Sequence, residues 1–224
     1  MTKVIVYLEG PSDRAALEAL LAPLLAELRQ NGIGVFFFAE GSGDRKKYLL
    51  LTVPEKAVNI LQSQPRTVVV VMPDLYPKNR GFSHTTLDEL RSGALRVFRS
   101  AAERKRVRDL GDLESRFRVF CFKHDMEVLL LASPDALKMR VGAMSLSRRW
   151  SPPVEEIDHH RPPKKIVEEV FAQNGHRYRD TVDAPVILRG RDHRAVARQC
   201  PQGFGPFVDF LASFLGSPES PAPR

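Results

Sequence analysis

Cysteine and tryptophan are scarce in this chain of 224 residues, with only Cys121, Cys200 and Trp150 among them. Two cysteines with neither framework nor metal-ligand spacing argue against a secreted disulfide scaffold and a cysteine-bound metal. They fit a reducing cytoplasm instead. No apolar run approaches the length of a membrane span, so no membrane partner is expected. The N-terminus lacks the basic start and cleavage site of a signal peptide. No internal repeat is visible. What remains is a soluble, cytoplasmic, globular composition with 43% hydrophobic and 27% charged residues. Its length suffices for one good core with a smaller appended lobe.

Charge is the first positive signal. The formal net charge is +7 and the sequence pI about 9.6, which points to a polyanionic partner. Much of the excess falls at Arg96, Arg99, Arg104, Lys105, Arg106 and Arg108, and again at Arg189, Arg191, Arg194 and Arg198. A solvated helix face explains such runs as readily as a contact with nucleic acid or nucleotide phosphate.

The first thirteen residues organise the rest. Val4 to Leu8 reads as a strand buried on both faces of a parallel sheet. Gly10-Pro11 breaks it, Ser12 is a candidate N-cap, and Leu17, Leu20, Leu21, Leu24, Leu25 and Leu28 form one helical stripe. Pro23 should kink or split that helix. Glu9 thereby stands at the carboxyl end of a buried strand and Asp13 in the first turn of a helix. Ligands and chemistry usually sit at that edge of an open α/β sheet. Val35 to Phe38 is a second strand. Glu40 to Asp44 is a loop before Arg45, Lys46 and Lys47, either a phosphate nest or, more simply, a turn. Tyr48 to Leu61 looks helical with an interruption near Pro54.

Val68 to Met72 is the strongest strand pattern, and Asp74 follows it directly. A helix is expected from about Thr86 to Arg108, then a strand from Phe117 to Phe122. The stretch His124-Asp125-Met126-Glu127-Val128-Leu129-Leu130 puts a third acidic group past a third strand. Strand and helix alternating in this way argue for a mainly parallel central sheet with helices on both faces. Ser145 to Arg161 reads as an irregular linker, and Pro163 to Gln173, Arg191 to Cys200 and Phe204 to Leu215 as short helices. The tail, 217–224, reads as disordered. The expected organisation is an α/β core over 1–144, a linker and C-terminal helices over 145–216, and the tail.

This topology brings Glu9 and Asp13, Asp74, and Asp125 and Glu127 toward one edge. Carboxylates gathered there repel unless something neutralises them. A hard divalent cation, Mg²⁺ or Mn²⁺, is a common solution, and it can hold and polarise a phosphate. Each residue also has a plainer role. Asp13 can complement the helix dipole, Asp74 can cap a turn, and Glu127 can pair with an arginine. His124 can orient phosphate or ligate metal, and a packed histidine is as good a reading. His159-His160 has poor spacing for a shared ion.

Leu8-Glu9-Gly10-Pro11-Ser12-Asp13 resembles the opening motif of Toprim domains, shared by topoisomerases, primases and overcoming-lysogenization-defect nucleases. The wider pattern is similar to a Toprim-like domain-of-unknown-function family, numbered 4276. Asp74-Leu75-Tyr76, His124 to Leu130, Pro153 to Ile157 and Cys200-Pro201 carry that likeness in order. The resemblance implies a Toprim-like fold with Glu9, Asp74 and Glu127 as catalytic or metal residues, and Glu9 as general base or acid. Tyr76 stands where Toprim nucleases have the second aspartate of a metal-binding pair. Tyrosine is a poor Mg²⁺ ligand, so Asp13, Asp125 or Glu127 completes the site or the site is degenerate.

The implied function is metal-dependent hydrolysis of nucleic acid, DNA before RNA, with an AAA-type ATPase partner in phage defence. Lys78 and His124 would then steady phosphate. The alternatives are a catalytically degenerate module that binds nucleic acid, nucleotide or the ATPase, and a hydrolase or transferase of small phosphorylated compounds.

Overall fold

β1 (Thr2–Leu8) and the strands beside it consist almost wholly of β-branched and aromatic residues, which suits a sheet covered on both faces. The computed structural model describes residues 1–39, 43–78, 81–146, 150, 153–157 and 160–216. The tail, part of the Glu40–Asp44 loop, His159 and part of the 145–161 region lie outside the described residues.

Gly10 ends β1 and α1 (Pro11–Leu20) begins at once. The cap is Gly10 rather than the expected Ser12. Pro11 already has the φ of a first helical residue, which moves the cap two residues back. The Asp13 carboxylate then accepts the Gly10 N–H at 2.9 Å. Leu21 separates α1 from α2 (Ala22–Gln30), with Pro23 in the first turn of the second helix, so the expected split occurs. β2 (Ile33–Ala39) follows. A short α3 (Arg45–Lys47) runs through a π-helical stretch, Tyr48–Thr52, into α4 (Val53–Ser63), where Pro54 sits harmlessly in the opening turn.

β3 (Thr67–Met72) leads to α5 (Leu87–Arg104), capped by Thr86 with Glu89 reaching back to the Thr86 N–H. α6 (Leu110–Ser115) and β4 (Phe117–Val119) come next. The strand expected to reach Phe122 ends early, and only a single parallel bridge, Asp74 to Phe122, extends the pairing. α7 (Val128–Leu131) and α8 (Pro134–Val141) precede a 3₁₀ turn at Val154–Glu156. α9 (Pro163–Gln173), α10 (Asp180–Leu188), α11 (His193–Gln199) and α12 (Phe204–Ser213) complete the described chain. α10 was not expected from the sequence, because Pro185 inside it interrupts the helical pattern.

The four strands pair in the order β2-β1-β3-β4, every neighbour parallel. Val6 lies opposite both Phe37 and Val70, so alternate positions across three strands share a face. Val4, Val6, Leu8, Val70 and Met72 face α1, α2 and α7 to α12 in one continuous core. Ala184, Ile187, Phe207 and Leu211 belong to that same core, and α10 packs along α1. On the opposite face Val69, Val71 and Phe117 pack against α4 and α5. Phe98 of α5 stacks on Phe117 at 4.4 Å between ring centroids. This second layer stops short of β2, which leaves Phe36 and Phe38 exposed by 43% and 48%. No helix among the described residues is long and apolar enough to cross a membrane.

Truncating the two faces should therefore have unequal consequences. Phe98→Ala is expected to lower stability by about 3–5 kcal/mol, whereas Phe36→Ser should shift the urea midpoint little. Comparable losses at both positions would mean that the open face of β2 is covered in solution.

Candidate active site

Parallel pairing aligns the carboxyl ends of β1 and β3, so the residues that follow them meet. Glu9 leaves β1 and accepts the backbone N–H of Asp74 at 2.9 Å. Asp13 stands in the first turn of α1, tied to Gly10. Asp74 is held at its level by the bridge to Phe122. Beyond Phe122 the chain turns through Asp125 to Glu127, with Met126 packed into the core beneath them. The five carboxylates singled out in the sequence thus form one electrostatically linked group.

Burial raises the pKa of all five, and repulsion from neighbouring acids of the group adds to it at Asp13, Asp74 and Asp125. Burial, with Glu127 and Glu9 nearby, pushes Asp13 up to about 7. Burial and Glu127 push Asp125 up to about 8. Asp74 is raised strongly by burial and by Glu9 and Asp13. Glu9 and Glu127 are also raised by burial, but each has a lysine opposing the shift.

Those lysines were not anticipated. Lys46, only 7% exposed, sets its ammonium 3.4 Å from Glu9 and donates to the Pro77 carbonyl at 2.6 Å. Lys164, in the first turn of α9, lies 3.6 Å from Glu127 and 3.0 Å from Asp180. Its backbone N–H reaches Asp125 at 3.3 Å, and the Tyr178 hydroxyl donates to Glu127 at 3.2 Å. Lys46 was legible only as part of a basic run after a loop. Lys164 and Tyr178 lie some forty to fifty residues downstream of the acids they touch, and Asp180 joins them through Lys164, with no local signal to mark any of the three.

The charges do not balance evenly. Among the described residues no basic side chain lies within ion-pair distance of Asp13, Asp74 or Asp125. Oδ1 of Asp74 and Oδ1 of Asp125 are buried without a hydrogen-bond partner. Oxygen-only donors of this kind suit a hard divalent cation in chemistry. Among the described residues, however, no three His, Cys, Asp or Glu side chains already converge to hold an ion.

Two other expected phosphate contacts have different surroundings. Lys78 is exposed at the surface. His124 is buried, stacks on Tyr76, and hydrogen-bonds the Glu155 carbonyl through Nε2 at 3.0 Å. A carbonyl only accepts, so that nitrogen carries the proton. Cys121 and Cys200 are buried free thiols whose pKa values burial raises, which makes them unreactive packing.

A family model described as "Domain of unknown function (DUF4276)" matches residues 8–212. The chain belongs to the DUF4276 family. No curated protein and no solved structure matches it. The match begins at the residue before Glu9 and runs past every site residue. It also takes in Pro153 to Ile157 and Cys200-Pro201, which lie far apart in sequence and meet in space. The fully buried Glu155 accepts the N–H groups of Gln202 at 2.7 Å and Gly203 at 2.8 Å, at the start of α12. A Cβ on Gly203 would come within 2.5 Å of the Cys121 carbonyl and 2.8 Å of Glu155 Oε1. These stretches clamp the last helix beside the site and contribute none of its acids.

Two outcomes are expected. Gly203→Ala should destabilise the fold by about 1–3 kcal/mol, read as a lower urea midpoint, because the backbone carbonyl it meets cannot move aside. The acids give a pH dependence. Asp13 and Asp125 titrate near 7 and 8 in the folded chain and near 3.8 when unfolded. The native state therefore holds protons that the unfolded state has released across that window, and stability falls as pH rises from about 4 to about 8. Urea midpoints across this range should show that slope. Asp13→Asn with Asp125→Asn should flatten it, and an unchanged slope would mean that the two acids are not linked in this way.

Proposed function

We propose that the chain is a Mg²⁺- or Mn²⁺-dependent phosphodiester hydrolase acting on nucleic acid. The observation that carries this reading is the cluster of acids that no lysine or arginine pairs with among the described residues. Lysines pair with Glu9 and Glu127, while among the described residues no basic side chain lies within ion-pair distance of Asp13, Asp74 or Asp125, and Asp74 and Asp125 each keep a buried oxygen without a donor. A divalent cation bound there would supply the missing charge, polarise a phosphate and lower the pKa of a water. The protein's own contribution is positional. The Asp74 N–H and the Lys46 ammonium fix the Glu9 carboxylate at the end of β1. Burial raises the pKa of that carboxyl, which makes it a better base toward an attacking water. Asp13, Asp74 and Asp125 would be the ion's ligands, and the three have to draw closer than they stand. Tyr76, packed on His124, cannot substitute for a fourth acid. The Toprim resemblance, the net positive charge and the edge of the sheet at which the acids gather all support the reading. An AAA-type ATPase partner and a role in phage defence rest on the resemblance alone.

A second reading has its own observation. Lys46 and Lys164 already neutralise two of the five acids, and no three-carboxylate cage is preformed among the described residues. That arrangement suits a module of the same fold that binds nucleic acid, nucleotide or an ATPase without hydrolysis.

Cleavage of plasmid DNA, single-stranded DNA and RNA with Mg²⁺ or Mn²⁺, alone and with any AAA-type ATPase encoded beside it, separates the two. Wild type should cleave, and Glu9→Gln and Asp74→Asn should each lose about 10²–10⁴-fold while staying folded. Mn²⁺ should also raise the melting temperature of wild type and not that of Asp74→Asn with Asp125→Asn. A folded wild type that neither cleaves nor responds to Mn²⁺ would establish the non-catalytic reading.

A further inference from the structure

The segment between α9 and α10 has two sides. Gly175, with φ at +75°, turns the chain out of α9, and residues 176–179 run without helix or strand to the extended Arg179. Tyr178 points inward, and its hydroxyl ends on Glu127 in the acid cluster. His176, Arg177 and Arg179 line a hollow of about 420 Å³ instead, together with Arg140 and Asp183.

The hollow has an excess of positive charge. Arg140 donates to Asp183 Oδ1 from Nε at 2.9 Å and from Nη2 at 2.5 Å. The other oxygen of Asp183 accepts the Arg179 N–H at 2.7 Å. Asp183 is therefore fully engaged, and Arg140 matches its charge. Arg177 and Arg179 are exposed, and neither guanidinium has an ion-pair partner among the described residues. Two unpaired guanidiniums on the wall of a concavity suit a phosphate, which they can grip bidentately.

We propose that this hollow is a phosphate subsite for the nucleic-acid backbone, gripped by Arg177 and Arg179. The proposal rests on the hydrolase reading for its choice of substrate and names what holds that substrate. The acid cluster offers a polyanion carboxyl oxygens and two lysines already engaged with acids, so binding energy must come from elsewhere. Arg177 and Arg179 flank the very residue that reaches the acids. A polymer carries a phosphate at every unit, so one phosphate can occupy the hollow while the chain extends beyond it. A mononucleotide has no second phosphodiester to offer.

The test is equilibrium binding of labelled single-stranded DNA, single-stranded RNA and duplex DNA to the full chain, at salt from about 50 to 200 mM. Wild type is compared with Arg177→Ala/Arg179→Ala and with a control pair, Arg96→Ala/Arg108→Ala, which removes equal charge on and just beyond α5. Both pairs lie on exposed residues, and unchanged circular dichroism and melting temperature verify the fold.

The Arg177/Arg179 pair should bind about 10–100-fold more weakly, with the slope of log K against log salt shallower by about 0.7–0.9 for each phosphate that the variant no longer neutralises. The control pair should stay near wild type. Equal weakening in both pairs, or wild-type binding by the Arg177/Arg179 variant, would overturn the proposal. So would failure of the wild type to bind any of the three probes. The hydrolase reading survives if that variant still binds and cleaves as wild type does. Conversely, binding through the hollow with no cleavage under any metal condition would remove the hydrolase reading and leave the subsite standing.

Discussion

Five carboxylates, two of them buried and three half-buried, crowd one edge of a sheet, and much of the surrounding structure is arranged to contain their repulsion. Their positions follow from the parallel pairing of β1 with β3, which brings Glu9 and Asp74 level and leaves no room to move them apart. An uncompensated buried charge is expensive, so such a group must keep protons, find cations or both. Both occur here. Asp13 and Asp125 titrate near neutrality, and two lysines reach in from separate segments of the chain.

The lysines explain features that would otherwise look arbitrary. Lys46 is nearly buried because its ammonium is the counter-charge of Glu9, and the Pro77 carbonyl gives it a second acceptor. Lys164 joins the first turn of α9 to Glu127 and Asp180, so the C-terminal helices are attached to the site by charge as well as by apolar packing. Glu155 makes a further attachment by capping the start of α12. The helices after residue 145 therefore shape the site as much as the strands do. Among the described residues three acids have no basic side chain at ion-pair distance and the Arg177 and Arg179 guanidiniums have no acidic one, an arrangement that a metal ion and a phosphate backbone would together neutralise.

The strands and most helices were legible because their signals are local. β-branched runs mark β1 and β3, the leucine stripe marks α1 and α2, and Pro23 marks the break between them. Glu9, Asp13, Asp74, Asp125 and Glu127 were legible for the same reason, since each lies just past a strand or at a helix start. α10 was hidden by Pro185, and the early end of β4 by residues that keep a strand-like pattern beyond Val119.

The sequence by itself determined which acids lie at the ends of strands, because alternation and strand-ending turns are properties of neighbouring residues. It determined, through the order of strands and helices, that the sheet would be parallel. The tertiary structure alone decided which charges those acids meet. Lys46, Lys164 and Tyr178 reach the cluster from segments with no periodic relation to it, and the orientation of Arg177 and Arg179 depends on how α9 and α10 dock. Electrostatic partnership is set by distance in space, and a linear pattern of residues does not encode it.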